Sequence, residues 1–258
     1  VLREQSNARD SLAPDTVHDL RVALRRCRSL ADGFATLDND RDWRRLRKSA
    51  KALQSGLAQL RDAQVMADSV RHLRLGSGCA GPAVAKSLQR DESKGARQAQ
   101  RALKDFQRKC WKDWQRRLPK RAHRLGTAPA TFAHLVLERA KEAAARERRW
   151  RGTESQIAAH SLRIAVKHFR YSVQSFLPEQ YAAWKEDLKR MQDALGDMQD
   201  LDVLRKWLLK VAKEEALDSK TIHKWMRRIA GAREKRVERY RKVVSAGERG
   251  AGRSKPLL

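Results

Sequence analysis

Between residues 43 and 60 the apolar side chains return at alternating steps of three and four: Trp43, Leu46, Ala50, Leu53, Leu57 and Leu60. That spacing lines one face of an α-helix and no face of a strand. The same six places recur 138 residues later as Tyr181, Trp184, Leu188, Met191, Leu195 and Met198. Polar residues recur with them, pairing Lys51 with Lys189, Gln54 with Gln192 and Asp62 with Asp200. An apolar stripe must be covered, and in a chain of such stripes the cover is another helix. The pattern predicts helices at about 15–37, 41–73, 83–117, 129–150, 154–177, 179–214 and 218–246. Pro82 and Pro129 suit first helical positions, where a missing N–H costs nothing. Thr153 followed by Gln156 reads as a capping box, and Pro178 marks a helix junction. Residues 76–82, Gly-Ser-Gly-Cys-Ala-Gly-Pro, read as a loop. The tail from Gly250 to Lys255 is expected to be disordered. Strand-like alternation and hairpin turn pairs are missing from the sequence.

A second repeat accompanies the first. His18, Arg21, Arg25, Arg26 and Arg28 recur as His160, Arg163, Lys167, His168 and Arg170, each 142 residues later. The change of offset falls between the paired helices, where a loop absorbs it. The expected architecture is therefore all-α, with two pseudo-symmetric antiparallel helical bundles from an internal duplication. The N-terminal half is placed at residues 1–150 and the C-terminal half at 151–258, together forming one domain. On a helical wheel, Arg21, Arg25 and Arg28 lie within about 80° of His18 on one side, and Arg26 about 80° on the other. Leu20, Ala23, Cys27, Leu30 and Phe34 gather at the far pole. In the copy, Leu162, Ala165, Phe169 and Phe176 take that pole. Each helix thus offers a core face and a basic ladder roughly 15 Å long.

Like charges one turn apart destabilise a helix slightly. Carrying that cost twice points to a ligand rather than to chance. The whole chain agrees: 58 Lys and Arg against 31 Asp and Glu give a formal charge of +27 over 258 residues. This exceeds what solubility requires and favours a polyanionic partner. Arginine forks match phosphate oxygens, and histidine adds a donor and, when protonated, a charge. Reading of bases would want stacking aromatics on the same face. Aromatics are 6% of residues; Trp43, Phe106, Phe169 and Trp184 fall on core stripes, and Tyr171 alone is placed beside a ladder, with Ser29 as its counterpart.

The residues quoted above resemble the CHAD family, the conserved histidine α-helical domains. The resemblance rests on His18-x-x-Arg21-Val22-x-x-Arg25-Arg26-x-Arg28, on His160-x-x-Arg163-Ile164-x-x-Lys167-His168-x-Arg170-Tyr171, and on the Leu60-Arg61-Asp62 and Leu195-Gly196-Asp197-Met198-Gln199-Asp200 segments. It spans about residues 12–245. It implies an all-α fold of two pseudo-symmetric bundles and binding of inorganic polyphosphate in a basic cavity or groove lined from both halves. It further implies an accessory module associated with polyphosphate granules. Some members are fused to a triphosphate-hydrolysing tunnel domain, whose Glu-x-Glu-x-Lys signature is missing from this sequence, so no hydrolase activity carries over. The second copy departs from the first at Lys167 and His168, where the first has Arg25 and Arg26, so the halves are not expected to bind equally.

Arg47 and Lys51, matched by Lys185 and Lys189, extend the polyphosphate-binding set. Weaker candidates are the stripe Arg97, Arg101, Lys104 and Arg108, and Lys220, Lys224 and Arg227 near the C-terminus, because a charged outer face is ordinary for a bundle helix. Arg121, His123 and Arg124 have nothing to distinguish them. No catalytic residue, cofactor or metal site is assigned. Asp62 and Asp200 read as ion-pair partners, and the remaining histidines lack ligand spacing. The three cysteines Cys27, Cys79 and Cys110 have no paired spacing and fit a reducing compartment. The opening Val1-Leu2-Arg3-Glu4 is unlike a signal peptide, and its missing methionine fits a trimmed sequence. No apolar run reaches membrane-spanning length. The sequence therefore predicts a non-enzymatic, cytoplasmic polyphosphate-binding protein without membrane association. Nucleic acid, held through its phosphates alone, is the alternative partner.

Overall fold

The computed structural model describes residues 1–75, 80–125 and 129–250, with the side chains of 129 and 246–250 left aside. Among the described residues there are ten α-helices and no strand. The 76–79 part of the sequence-assigned loop, Cys79, and residues 251–258 of the tail lie outside the described residues. No described helix is long and apolar enough to cross a membrane.

The chain forms two compact units. Unit 1 comprises Val1–Ala67 and Lys86–Pro129. Its helices are α1 (Leu2–Asp10), α2 (Pro14–Leu37), α3 (Arg41–Gly56), most of α4 (Ala58–His72), most of α5 (Gly81–Lys104), and α6 (Arg108–Arg124). Unit 2 comprises Asp68–Ala85 and Ala130–Leu258, with α7 (Pro129–Thr153), α8 (Gln156–Phe176), α9 (Pro178–Glu214) and α10 (Ser219–Gly250). These units and the two sequence halves are different divisions, since residues 130–150 belong to unit 2.

The stripes do what their spacing requires. In unit 1 Trp43, Leu46, Ala50, Leu53, Leu57 and Leu60 are buried against Val17, Leu20 and Leu24 of α2. In unit 2 Leu188, Met191, Leu195 and Met198 are buried against Leu162, Ala165 and Phe169 of α8, with Tyr181 and Trp184 partly buried beside them. α2 and α3 form a hairpin across the short link Asp38–Asp40, and α8 and α9 form one across Leu177. Pro14 and Pro178 sit in the first turns of α2 and α9, where no N–H is missed.

Four expectations about the elements need correction. α1 was not foreseen: its buried face is only Gln5 and Ala8, too little to leave a periodic trace. The stretch 41–73 is two helices, not one. It steps at Leu57, where α3 and α4 meet α5 at van der Waals closeness. A Cβ on Gly56 would lie 2.3 Å from Ala102 Cβ, and one on Gly95 would lie 2.6 Å from the Leu60 backbone. The stretch 83–117 is also two helices, broken at residues 105–107, and α6 runs on to Arg124 with Pro119 inside it. The carbonyl that Pro119 cannot serve belongs to Gln115, which is exposed to water. The N-cap of α8 is Ser155, whose Oγ accepts from Ala158 N at 3.2 Å, while Thr153 closes α7.

Candidate functional site

The two ladders occupy corresponding places in their hairpins. On α2, Arg21, Arg25 and Arg28 are half-buried and His18 and Arg26 exposed. On α8, Arg163, Lys167 and Arg170 are half-buried and His160 and His168 exposed. Exposure thus separates the three half-buried cations of each ladder from its two exposed members, the leading histidine and Arg26 or His168.

Half-burial follows from the neighbouring helix. Arg28 Nη1 donates to Gln54 Oε1 at 2.9 Å, and Arg21 Nη1 to the Gln54 carbonyl, also at 2.9 Å. In unit 2 Arg170 Nη1 donates to Gln192 Oε1 at 3.0 Å, and its Nη2 lies 3.4 Å from the Tyr181 hydroxyl. Arg28 corresponds to Arg170 and Gln54 to Gln192, so one hydrogen bond is made twice. Within the described residues, the Nε of Arg28 and of Arg170 is buried without a hydrogen-bond partner. The Arg–Gln bond holds each guanidinium near one place without neutralising it. That leaves the charge for an anion at less cost in side-chain freedom.

The histidine ends differ. His160 Nδ1 donates to Gln199 Oε1 at 2.7 Å. His18 has Arg61 in the matching place, and Arg61 Nη1 lies 3.4 Å from the Pro14 carbonyl, one turn before His18. His18 keeps solvent contact, yet its pKa is held below the ordinary histidine value. Partial loss of water comes first, then the charges of Arg61 and Arg25, with Asp19 and Asp15 opposing.

The other assigned residues scatter. Arg47 is exposed and pairs with Asp32 at 3.0 Å. Lys51, Lys185 and Lys189 are exposed. Arg97, Arg101 and Lys104 are exposed on α5, opposite buried Ala99 and Leu103. Arg108 is not on that stripe: it opens α6, and its Nη1 donates to Gln5 Oε1 at 3.1 Å. Lys220, Lys224 and Arg227 are exposed on α10. Tyr171, expected beside the ladder, is buried at 6% exposure, so the exposed face of α8 loses its one aromatic candidate. Cys27 is half-buried, and loss of water pushes its thiol up to about 11. Among the described residues no three His, Cys, Asp or Glu side chains converge for a metal ion.

One cluster escaped the sequence. Asp38 is buried in the α2–α3 link and accepts from Arg121 (Nη2 to Oδ1, 2.8 Å) and from Trp43 Nε1 at 2.8 Å. Arg121 also reaches Asp40 at 2.9 Å, and Arg117 pairs with Asp42. The hydrogen bonds from Arg121 hold the Asp38 carboxyl well below the usual carboxylate range. This cluster fastens α6 to the hairpin. The alternation Asp38, Asp40, Asp42 was its only trace in the sequence. Unit 1 also carries an open apolar cleft of about 460 Å³ faced by Phe34, Trp43, Trp111 and Trp114. No ladder cation lines it, so its chemistry does not suit a polyanion.

A family model described as CHAD domain matches residues 1–209. No curated protein matches the chain. The crystal structure of the CHAD domain from the plant Ricinus communis is similar over 99% of this chain and 83% of its own length, with a TM-score of 0.64 and 19% identity. At that identity the likeness establishes the all-α fold.

Proposed function

The chain belongs to the CHAD domain family, and from that premise we propose that it binds inorganic polyphosphate through its two basic ladders, without catalysing a reaction. The observation that carries this reading is the repeated device of Arg28 on Gln54 and Arg170 on Gln192. Each places a half-buried guanidinium in a row with a histidine and further cations. A row of fixed, charged forks suits a ligand whose charge repeats along a line. The matched bonds also favour an origin by internal duplication. His18, Arg21, Arg25, Arg26 and Arg28 form the first contact set, and His160, Arg163, Lys167, His168 and Arg170 the second. Lys51, Lys185 and Lys189 extend them. Arg47 contributes less, because Asp32 already pairs with it. A cytoplasmic, granule-associated accessory role is part of the same proposal.

Nucleic acid is the competing ligand, since phosphate contacts alone hold it too. The buried position of Tyr171 weighs against it, because stacking would need an exposed ring on the ladder face. The test is direct competition at equal phosphate concentration and moderate salt. Medium-chain polyphosphate is expected to displace single-stranded DNA and RNA from the protein. Equal or tighter binding of either nucleic acid would overturn the reading.

A further inference from the structure

The two hairpins share one register, so the residue facing each histidine from the neighbouring chain segment can be compared. Gln199 stands beside His160, and Arg61, 138 residues earlier in the sequence, takes the matching place on α4. Arg61 is half-buried on α4, and its guanidinium lies at the start of α2, at hydrogen-bond limit from the Pro14 carbonyl. The charged groups acting on His18 are Arg61 from α4, and Arg25, Asp19 and Asp15 from α2 itself. Bringing a third positive charge onto the ring is opposed by Arg61 and Arg25 until an anion enters. Arg61 therefore has two effects in the free protein: it supplies a fixed positive charge, and it adds to the partial loss of water in disfavouring protonation of the adjacent ring. At the other site the neighbour is an uncharged amide. His160 there commits Nδ1–H to Gln199, and its Nε2 donates to a phosphate only when the ring is protonated.

We propose, resting on the polyphosphate reading above, that Arg61 is a further phosphate-contacting residue, and that its replacement by Gln199 at the matching place makes the first ladder the stronger of the two. The first ladder then carries a permanent charge at its histidine end. The second has the uncharged Gln199 amide in that place. Binding at the first ladder becomes proton-linked through His18, because phosphate between His18 and Arg61 offsets the loss of water and the repulsion that disfavour the protonated ring.

The test measures affinity for medium-chain linear polyphosphate at pH 8 and pH 6, at fixed ionic strength, on the full chain. Arg61→Gln is expected to weaken binding about tenfold at pH 8, the size of one lost charge-assisted contact. The loss is expected to be smaller at pH 6, where His18, relieved of Arg61, protonates more readily. Proton NMR of the free variant should show the His18 pKa raised relative to the wild type. Arg61→Lys should restore most of the affinity, and Gln199→Arg should tighten binding at pH 8. A merely structural Arg61, holding the start of α2, would give the same loss at both pH values and no gain from Gln199→Arg. That result overturns the proposal. Arg25→Gln with Arg26→Gln serves as the reference. If this pair weakens binding and Arg61→Gln does not, the proposal alone falls. If the reference pair also binds as the wild type does, the polyphosphate reading falls, and the proposal with it.

Discussion

Asp38 shows how much a single buried carboxylate can hold. Its oxygens receive Arg121 and the Trp43 indole, and Oδ1 also accepts from Asp40 N at 3.2 Å. A carboxyl held charged in the fold releases its proton more easily there than in the unfolded chain, where the pKa is about 3.9. The sign follows: the stabilisation is complete above the unfolded value and is lost as pH falls from there through the lower folded value. Asp38→Asn keeps the shape, removes the charge, and leaves Arg121 and Trp43 with poorer partners. We expect a loss of about 2–3 kcal/mol at pH 7, read by urea unfolding, and a smaller difference between variant and wild type at pH 3. An equal difference at both pH values would show that charge is not what Asp38 contributes. The sequence offered little warning of this. Arg121 is one of many arginines, and only the fold brings α6 to the link between α2 and α3.

At the scale of elements, the ladders and stripes were legible because a helix repeats its environment every three or four residues, and the sequence repeats with it. Both basic ladders, both stripes and the all-α class follow from that periodicity. What periodicity hides is a break that leaves the apolar register intact. Leu53, Leu57 and Leu60 read as one stripe, yet the backbone steps at Leu57. The trace was in the small residues, Gly56, Gly95 and Ala102, whose missing bulk lets α5 approach. Tyr171 failed for a different reason: about 20° from His160 on the wheel, it lies in the middle of the ladder face, yet it is buried, because a wheel angle does not say which part of a face the rest of the fold covers. Gly95 gives the test of the close approach. Alanine is the better helix former by about 1 kcal/mol, but its Cβ would meet the Leu60 backbone at 2.6 Å. Gly95→Ala is expected to destabilise by about 1–3 kcal/mol. Gly231, whose Cβ would meet nothing within 4 Å, should gain up to about 1 kcal/mol as alanine. Thermal unfolding of the two variants checks the opposite signs, and a gain at both would remove the packing argument.

Over the whole molecule, a charge of +27 attracts any polyanion, so binding alone does not single out the ladders. What separates a site from a charged surface is whether equal charge removal costs equally everywhere. The ladder cations are half-buried and partly fixed by Gln54 and Gln192, which lowers the freedom lost on binding. Lys206, Lys235 and Lys242 are exposed on α9 and α10 and belong to neither ladder. Neutralising Arg21, Arg25 and Arg28 together, or Arg163, Lys167 and Arg170 together, should therefore weaken polyphosphate binding far more than neutralising those three lysines. Arg21 and Arg28 also tie α2 to Gln54, so each triple variant is compared only after circular dichroism shows wild-type helicity. Salt gives the independent measure. If roughly 6–10 phosphates are neutralised, affinity should fall by orders of magnitude between about 50 and 200 mM salt. A ladder variant should show a shallower salt slope, by about one charge per cation engaged, whereas the lysine variant should keep the wild-type slope. Equal losses with equal slopes in all three variants would mean that polyphosphate senses only the net charge, and the repeated ladders would then be a property of the fold and not of the site.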